Sequence, residues 1–176
     1  MRQGTFQPIS LPAEFQGWVT GVAMIGVPWA ARPLQVYSIH TLPGSPFACE
    51  QAIKAILDGI TERRDGADLV LGGDFNVTIG HSHPGDRRPN TPGEVAILQR
   101  LEGEWSLVNC WQVMHRDRPL ARTFQALTAD ARSSHYDGLF VPASWRSHLQ
   151  ACEVWDAPID SLPSDHQAVW ATFDLG

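Results

Sequence analysis

Apolar and polar positions along the chain change period several times, and each change marks an element. Trp18 to Val27 and Leu34 to His40 are apolar-rich runs of strand length, separated by the turn Pro28-Trp-Ala-Ala-Arg-Pro33. That pattern predicts an antiparallel pair. From Phe47 the period lengthens, and Phe47, Ala52, Ile53, Ile56, Leu57 and Ile60 recur at helical spacing on one apolar face. Ser45-Pro46 supplies an N-cap and a first-turn proline. Arg63 and Arg64 place cations at the helix's negative end, so the helix should stop by Gly66. Asp68 to Phe75 then reads as a buried strand whose apolar run is stopped by two glycines.

Strand, helix and strand with short joins make a βαβ unit, so the two strands should be parallel. Both then end on one edge of the sheet, where open α/β folds place their ligands. His40 closes the first strand, and Asp74 with Asn76 closes the second. The three are therefore expected to share a cleft.

Downstream, Asn76 to Asn90 is a polar loop, and Thr91-Pro-Gly-Glu94 is a capping box opening a helix with Val95, Leu98 and Leu101 inward. Leu107–Trp111, Arg122–Gln125, Tyr136–Val141, Leu149–Trp155 and Ala168–Phe173 read as strands. The last three are expected to form an antiparallel meander, whose first and third strands bring Asp137 and His166 to a common edge. No repeat, low-complexity tract or linker divides residues 1–176, which predicts a single domain.

Composition narrows the class. With 176 residues and 43% hydrophobic content the chain can bury an ordinary globular core. No apolar run approaches the roughly 20 residues a membrane span needs. Cys49, Cys110 and Cys152 are odd in number and lack metal-ligand spacing, so no disulfide framework is expected and a cytoplasmic setting is the default. A net charge of −6 disfavours a non-specific nucleic-acid binder. Local arginines, Arg87 and Arg88 above all, could still bind substrate phosphates. His81-Ser-His83 reads as a solvated pair in a Gly/Pro loop rather than a metal site.

The remaining polar motifs suit metal-assisted phosphoester chemistry. Such hydrolysis needs phosphoryl charge neutralised, a water aligned and deprotonated, and the leaving oxygen stabilised. Asp74 could orient and deprotonate the water, with Asn76 holding it or the phosphate. Asp137 could hydrogen-bond His166 and favour its protonated form. Asp165 adds a carboxylate beside His166, and His40 offers a second donor to the phosphate.

Gly73-Asp-Phe-Asn76, Ser164-Asp-His166, Val36-Tyr-Ser-Ile-His40 and Tyr136-Asp-Gly-Leu-Phe140 resemble, in order, the signatures of the endonuclease/exonuclease/phosphatase superfamily, which includes deoxyribonuclease I. The resemblance implies a four-layered α/β sandwich, two packed mixed β-sheets flanked by helices. It also implies a hydrolase of phosphodiesters or phosphomonoesters using Mg2+, with Mn2+ as a substitute. Asp74, Asn76 and His166 would act on the phosphate and water, Asp137 would support His166, Asp165 would serve the metal, and His40 would contact the phosphate. The substrate, a nucleic acid or a small phosphorylated molecule, is not chosen by fold. One departure stands out. Members of that family begin with strands carrying an asparagine and a metal-binding glutamate, whereas here no asparagine precedes Asn76 and Glu14 is the only acid before His40. The chain therefore reads as the C-terminal two-thirds of the fold, a fragment or a degenerate copy. Its rival function is a non-catalytic interaction module, and an uncovered sheet edge would favour self-association.

Overall fold

The βαβ unit is the centre of the molecule. A computed structural model describes residues 4–27, 30–86, 88–124, 134–155 and 164–176. Strand β2 (Val19–Ile25) pairs antiparallel with β3 (Leu34–His40), helix α1 (Pro46–Thr61) follows, and β4 (Asp68–Asp74) returns parallel to β3. The Ser45 hydroxyl accepts from the Ala48 amide and Pro46 opens the helix, so α1 starts where its cap dictates. Ile53, Ile56, Leu57 and Ile60 lie against the sheet, each almost wholly buried. Truncating any one to alanine would cost about 2–5 kcal/mol.

Strand β6 (Asp137–Pro142) pairs antiparallel with β4, and β5 (Leu107–Asn109) pairs antiparallel with β6. At the opposite edge, β1 (Thr5–Ile9) pairs with β2. The resulting six-stranded mixed sheet has the order β1-β2-β3-β4-β6-β5. The alternation of side chains splits its two faces. Leu69 and Leu71 of β4 and Phe140 of β6 pack with α1 and with Ile97 and Leu98 of α2 (Pro92–Gln99). Val70, Leu139 and Val141 face the other way, onto a two-stranded sheet of β7 (Leu149–Val154) and β8 (Val169–Phe173). Two sheets with helices beside them are thus the architecture, the second sheet being two antiparallel strands among the described residues.

Three expectations fail for identifiable reasons. The last three strands do not form a meander: both edges of β6 are already occupied, by β4 and β5, and the helical turn Ala143–His148 carries the chain to the second layer. Leu107–Trp111 is a strand only to Asn109, whose side chain accepts from the Gln112 amide and caps a short helix, α3 (Cys110–Met114). Arg122–Gln125 is not a regular strand. Phe124 makes isolated bridges to Ser134 and His166, and Gln125 lies outside the described residues. Strand β1 was not signalled at all, because Pro8 interrupts it, which only an edge strand tolerates.

Candidate active site

Register places three of the polar residues side by side. His40 ends β3 opposite Asp74, which ends β4. Because β6 runs the other way, its first residue, Asp137, lies opposite Asp74 on the far side. Laterally paired residues face the same side of a sheet, so the three side chains form a row along one edge. His166 joins them from the chain entering β8 in the other sheet.

Gly73 makes the end of β4 possible. Its φ is +128°, and a Cβ there would collide with the Ile39 carbonyl oxygen. Asn76 follows in the left-handed region at φ +50°, which asparagine tolerates better than most residues. Its backbone amide donates to Asp74 Oδ1 at 2.8 Å. Its side-chain Nδ2 donates to Asp74 Oδ2 at 2.8 Å and to the Thr41 carbonyl at 2.6 Å. Asn76 therefore fixes Asp74, and its Nδ2, with both hydrogens engaged, could donate to a phosphate only by exchanging one of those bonds. Thr41, fully buried, donates its hydroxyl to the Phe75 carbonyl and so stiffens the same turn.

His166 Nδ1 donates to Asp137 Oδ2 at 2.8 Å. The hydrogen bond to this carboxylate outweighs the burial of the ring, and the His166 pKa is raised from its ordinary value. With Nδ1 engaged, Nε2 points to Asp74 Oδ2 at 3.8 Å, and His40 Nε2 lies 3.8 Å from the same oxygen. Both gaps exceed a direct hydrogen bond and suit an intervening water or phosphoryl oxygen. Burial of Asp74 raises its pKa, and neighbouring Asp137 adds to this, against the stabilising Asn76 amide and the two imidazoles.

Donor atoms of Asp74, Asp137 and His166 lie within 4.8 Å of one another, a grouping that could hold a metal ion. Two carboxylates in a half-buried cluster are hard oxygen ligands of the kind divalent magnesium or manganese prefers. Asp165 is exposed and is not one of the three converging side chains. Glu14 is exposed in a short helical turn, Ala13–Phe15.

The other sequence candidates separate. Arg88 lines a cleft of about 220 Å³ with Asn76, Phe124 and Tyr136, but its guanidinium is bonded to Glu94 through both terminal nitrogens, at 2.7 and 2.6 Å. Arg87 lies outside the described residues. His81 pairs with Glu102 at 2.6 Å. Two residues that sequence reading missed belong here. Thr123 is fully buried with its hydroxyl at the start of β6, and the Phe124 ring lies 4.9 Å from the His166 ring. A Thr-Phe pair in a short apolar stretch carries no local signal of such a role.

No protein-family model matches the sequence, and no curated protein matches it either. Solved structures do. The AP endonuclease from Archaeoglobus fulgidus is 14% identical with a TM-score of 0.68, over 96% of this chain and 72% of that one. The 3′ phosphatase NExo from Neisseria, solved bound to a product DNA hairpin, is 20% identical with a TM-score of 0.66, over 96% and 70%. The endonuclease domain of TRAS1, a telomere-specific non-LTR retrotransposon, is 17% identical with a TM-score of 0.62, over 96% and 68%. At such identities the likeness is one of architecture, and on that ground this chain has the fold of the endonuclease/exonuclease/phosphatase superfamily.

Proposed function

We propose that this chain is a divalent-metal-dependent hydrolase of phosphoester bonds. The observation that carries the reading is the convergence of two imidazole Nε2 atoms, each 3.8 Å from Asp74 Oδ2, with one imidazole oriented by Asp137. Asp74, kept from full hydration and held by Asn76, accepts the proton of the attacking water. His166, kept protonated by Asp137, donates from Nε2 to a phosphoryl oxygen, and His40 donates from the exposed side. A divalent ion, Mg2+ or in its place Mn2+, would be held by the converging carboxylates of Asp74 and Asp137, and would neutralise phosphoryl charge and acidify bound water. Arg87 and Arg88 are assigned to further substrate phosphates, Arg88 from the wall of the cleft beside Asn76.

A nucleic-acid phosphodiester is the favoured substrate, because the Neisseria neighbour was solved with a DNA hairpin product and two others are endonucleases. One observation favours a second reading, a non-catalytic interaction module: among the described residues only two carboxylates, Asp74 and Asp137, converge on the site, and Asp74 is already engaged by Asn76.

Hydrolysis of a chromogenic phosphodiester with magnesium, with manganese and with chelator separates the two. Metal-dependent turnover that falls by about 10²–10⁴-fold in Asp74→Ala and in His166→Gln is the expected result. Unchanged rates in both variants, or no turnover from the folded wild-type chain under any metal, would sink the catalytic reading.

A further inference from the structure

Asp137 and His166 belong to different sheets, one at the start of β6 and the other in the approach to β8. No strand pairing between β6 and β8 holds their backbones together. A two-residue segment, Thr123-Phe124, lies between them instead. The Thr123 hydroxyl accepts from the amides of Tyr136 and Asp137, both at 2.9 Å, and is 3.4 Å from the Ser134 carbonyl, to which it donates. The Thr123 amide donates to that same carbonyl at 3.1 Å. On its other side, the Thr123 carbonyl accepts from the amide of Gln167, next to His166, at 2.7 Å. Phe124 bridges to both Ser134 and His166, and its ring stacks on Tyr136 at 5.6 Å while covering His166 at 4.9 Å.

We propose that Thr123 is a positioning residue of the active site: its hydroxyl sets the Asp137 backbone and its carbonyl sets the His166 backbone, so that one residue fixes the distance between the acid and the imidazole. Physical reasons point to the hydroxyl. Thr123 is fully buried, and the two amides it serves are those of Asp137, the first residue of β6, and of Tyr136 just before the strand. Removing the oxygen orphans both donors, and each buried orphan must find another partner or move. A shift of Asp137 by a fraction of an ångström moves the Nδ1 hydrogen bond that aims His166 Nε2 at Asp74. Catalytic groups tolerate little such movement, since about 1 Å of misplacement can cost about 100-fold in rate. Phe124 adds a wall to the imidazole but offers no polar contact, so it is secondary.

The inference rests on the catalytic reading of the Asp137–His166 pair, and its test keeps the two apart. Thr123→Val preserves shape and removes the hydroxyl, whereas Thr123→Ser keeps it. In metal-free protein at one fixed pH, NMR reads the downfield Nδ1 proton of His166 and the exchange rates of the Asp137 and Gln167 amides. The valine variant should lose the downfield proton and exchange its Asp137 amide at least tenfold faster. The serine variant should retain both. If the wild type hydrolyses phosphoesters, kcat of the valine variant should fall by about 10–100-fold with KM within about threefold. A folded valine variant that keeps the proton, the exchange rates and kcat overturns the proposal. Should the valine variant not fold, the serine variant decides: retention of the downfield proton and slow exchange supports the role, and their loss from a folded protein overturns it. Because the NMR signals do not depend on turnover, an inactive wild type would defeat the hydrolase reading alone.

Discussion

Burial strips water from the Asp74 carboxyl, and a second carboxylate, Asp137, faces it across the strand pair. The Asn76 amide and the imidazoles of His166 and His40 stabilise the anion, yet the net effect is a pKa above the ordinary carboxylate value. His166 is raised as well, by its hydrogen bond to Asp137. If Asp74 works ionised and His166 protonated, the pH profile of kcat/KM is a bell. Its acid limb lies above the usual carboxylate range and its alkaline limb above about 6.5. Asp137→Asn should draw the alkaline limb down toward that ordinary value. A profile without an acid limb above the ordinary carboxylate value would reject the role of Asp74, and one without an alkaline limb would reject that of His166. Stability runs in the same direction as the alkaline limb: the raised His166 contributes fully below about pH 6.5, and the contribution fades as pH rises through its folded pKa. Gly73 is the backbone counterpart of these side chains. Gly73→Ala meets the Ile39 carbonyl oxygen at a φ that L-residues avoid, and should destabilise the fold by more than about 1 kcal/mol in chemical denaturation, with activity lost alongside. At this scale the shared edge of His40, Asp74 and Asn76 was legible, because the βαβ unit ends both its strands there, whereas Asp137 and His166 meet from two different sheets and not through the expected meander. Thr123 was not legible, because its role depends on contacts with two segments 11 or more positions away in sequence.

Among the elements, the loop after Asn76 is organised by one buried carboxylate. Glu94 accepts from the amides of Thr78 and Thr91 and from both terminal nitrogens of Arg88. Thr91, the N-cap of α2, in turn donates to Glu50 of α1 at 2.5 Å, tying the two helices together. Burial opposes ionisation of Glu94, but the guanidinium and the two amides outweigh it and lower its pKa. Stability from this group is therefore complete above about pH 4.5 and is lost as pH falls through the lower folded value. Arg88→Ala leaves Glu94 without its cation. Because the Arg88 side chain is 46% exposed and Glu94 only 3%, the expected loss is about 1–3 kcal/mol at neutral pH, less than for a fully buried pair. Urea unfolding at pH 7 and pH 4 measures it, and the variant should lose part of the acid-side slope. A neutral-pH stability equal to wild type would show that the pair holds nothing. The capping box itself was plain in Thr91-Pro-Gly-Glu94, since both partners lie within one turn. The Arg88 contact was hidden, because an arginine in a loop gives no sign of whether it faces a carboxylate or solvent.

For the whole molecule, the continuous apolar run of β4 reads as a buried central strand, and the structure covers the sheet with α1 and α2 on one face and β7–β8 on the other. The sequence did not reveal how the strands divide between sheets. Pairing is settled by which edges are free once earlier strands have docked, and β6 had none left to offer β7. The covering is also uneven. β7 and β8 pair only with each other among the described residues, and β8 carries Trp170 at 47% exposure, with Trp155 at 62% just beyond β7. At the far edge of the large sheet, β1 exposes Phe6 at 66%. A two-stranded sheet is marginal by itself, and open edges bearing large apolar side chains recruit further strands. Self-association through the β7–β8 sheet is therefore the expected behaviour of this chain. Sedimentation velocity should show a coefficient that rises with concentration over the micromolar range. Trp170→Lys should return it to the monomer value without loss of fold, because a charge on an edge strand blocks pairing. Phe6→Lys on the distant β1 edge distinguishes the surfaces: if it, and not Trp170→Lys, abolishes the effect, the large sheet is the contact. A coefficient independent of concentration in the wild type would mean that neither edge pairs between copies, and that packing of β7–β8 against Leu139, Val141 and Val70 is sufficient to hold the small sheet closed.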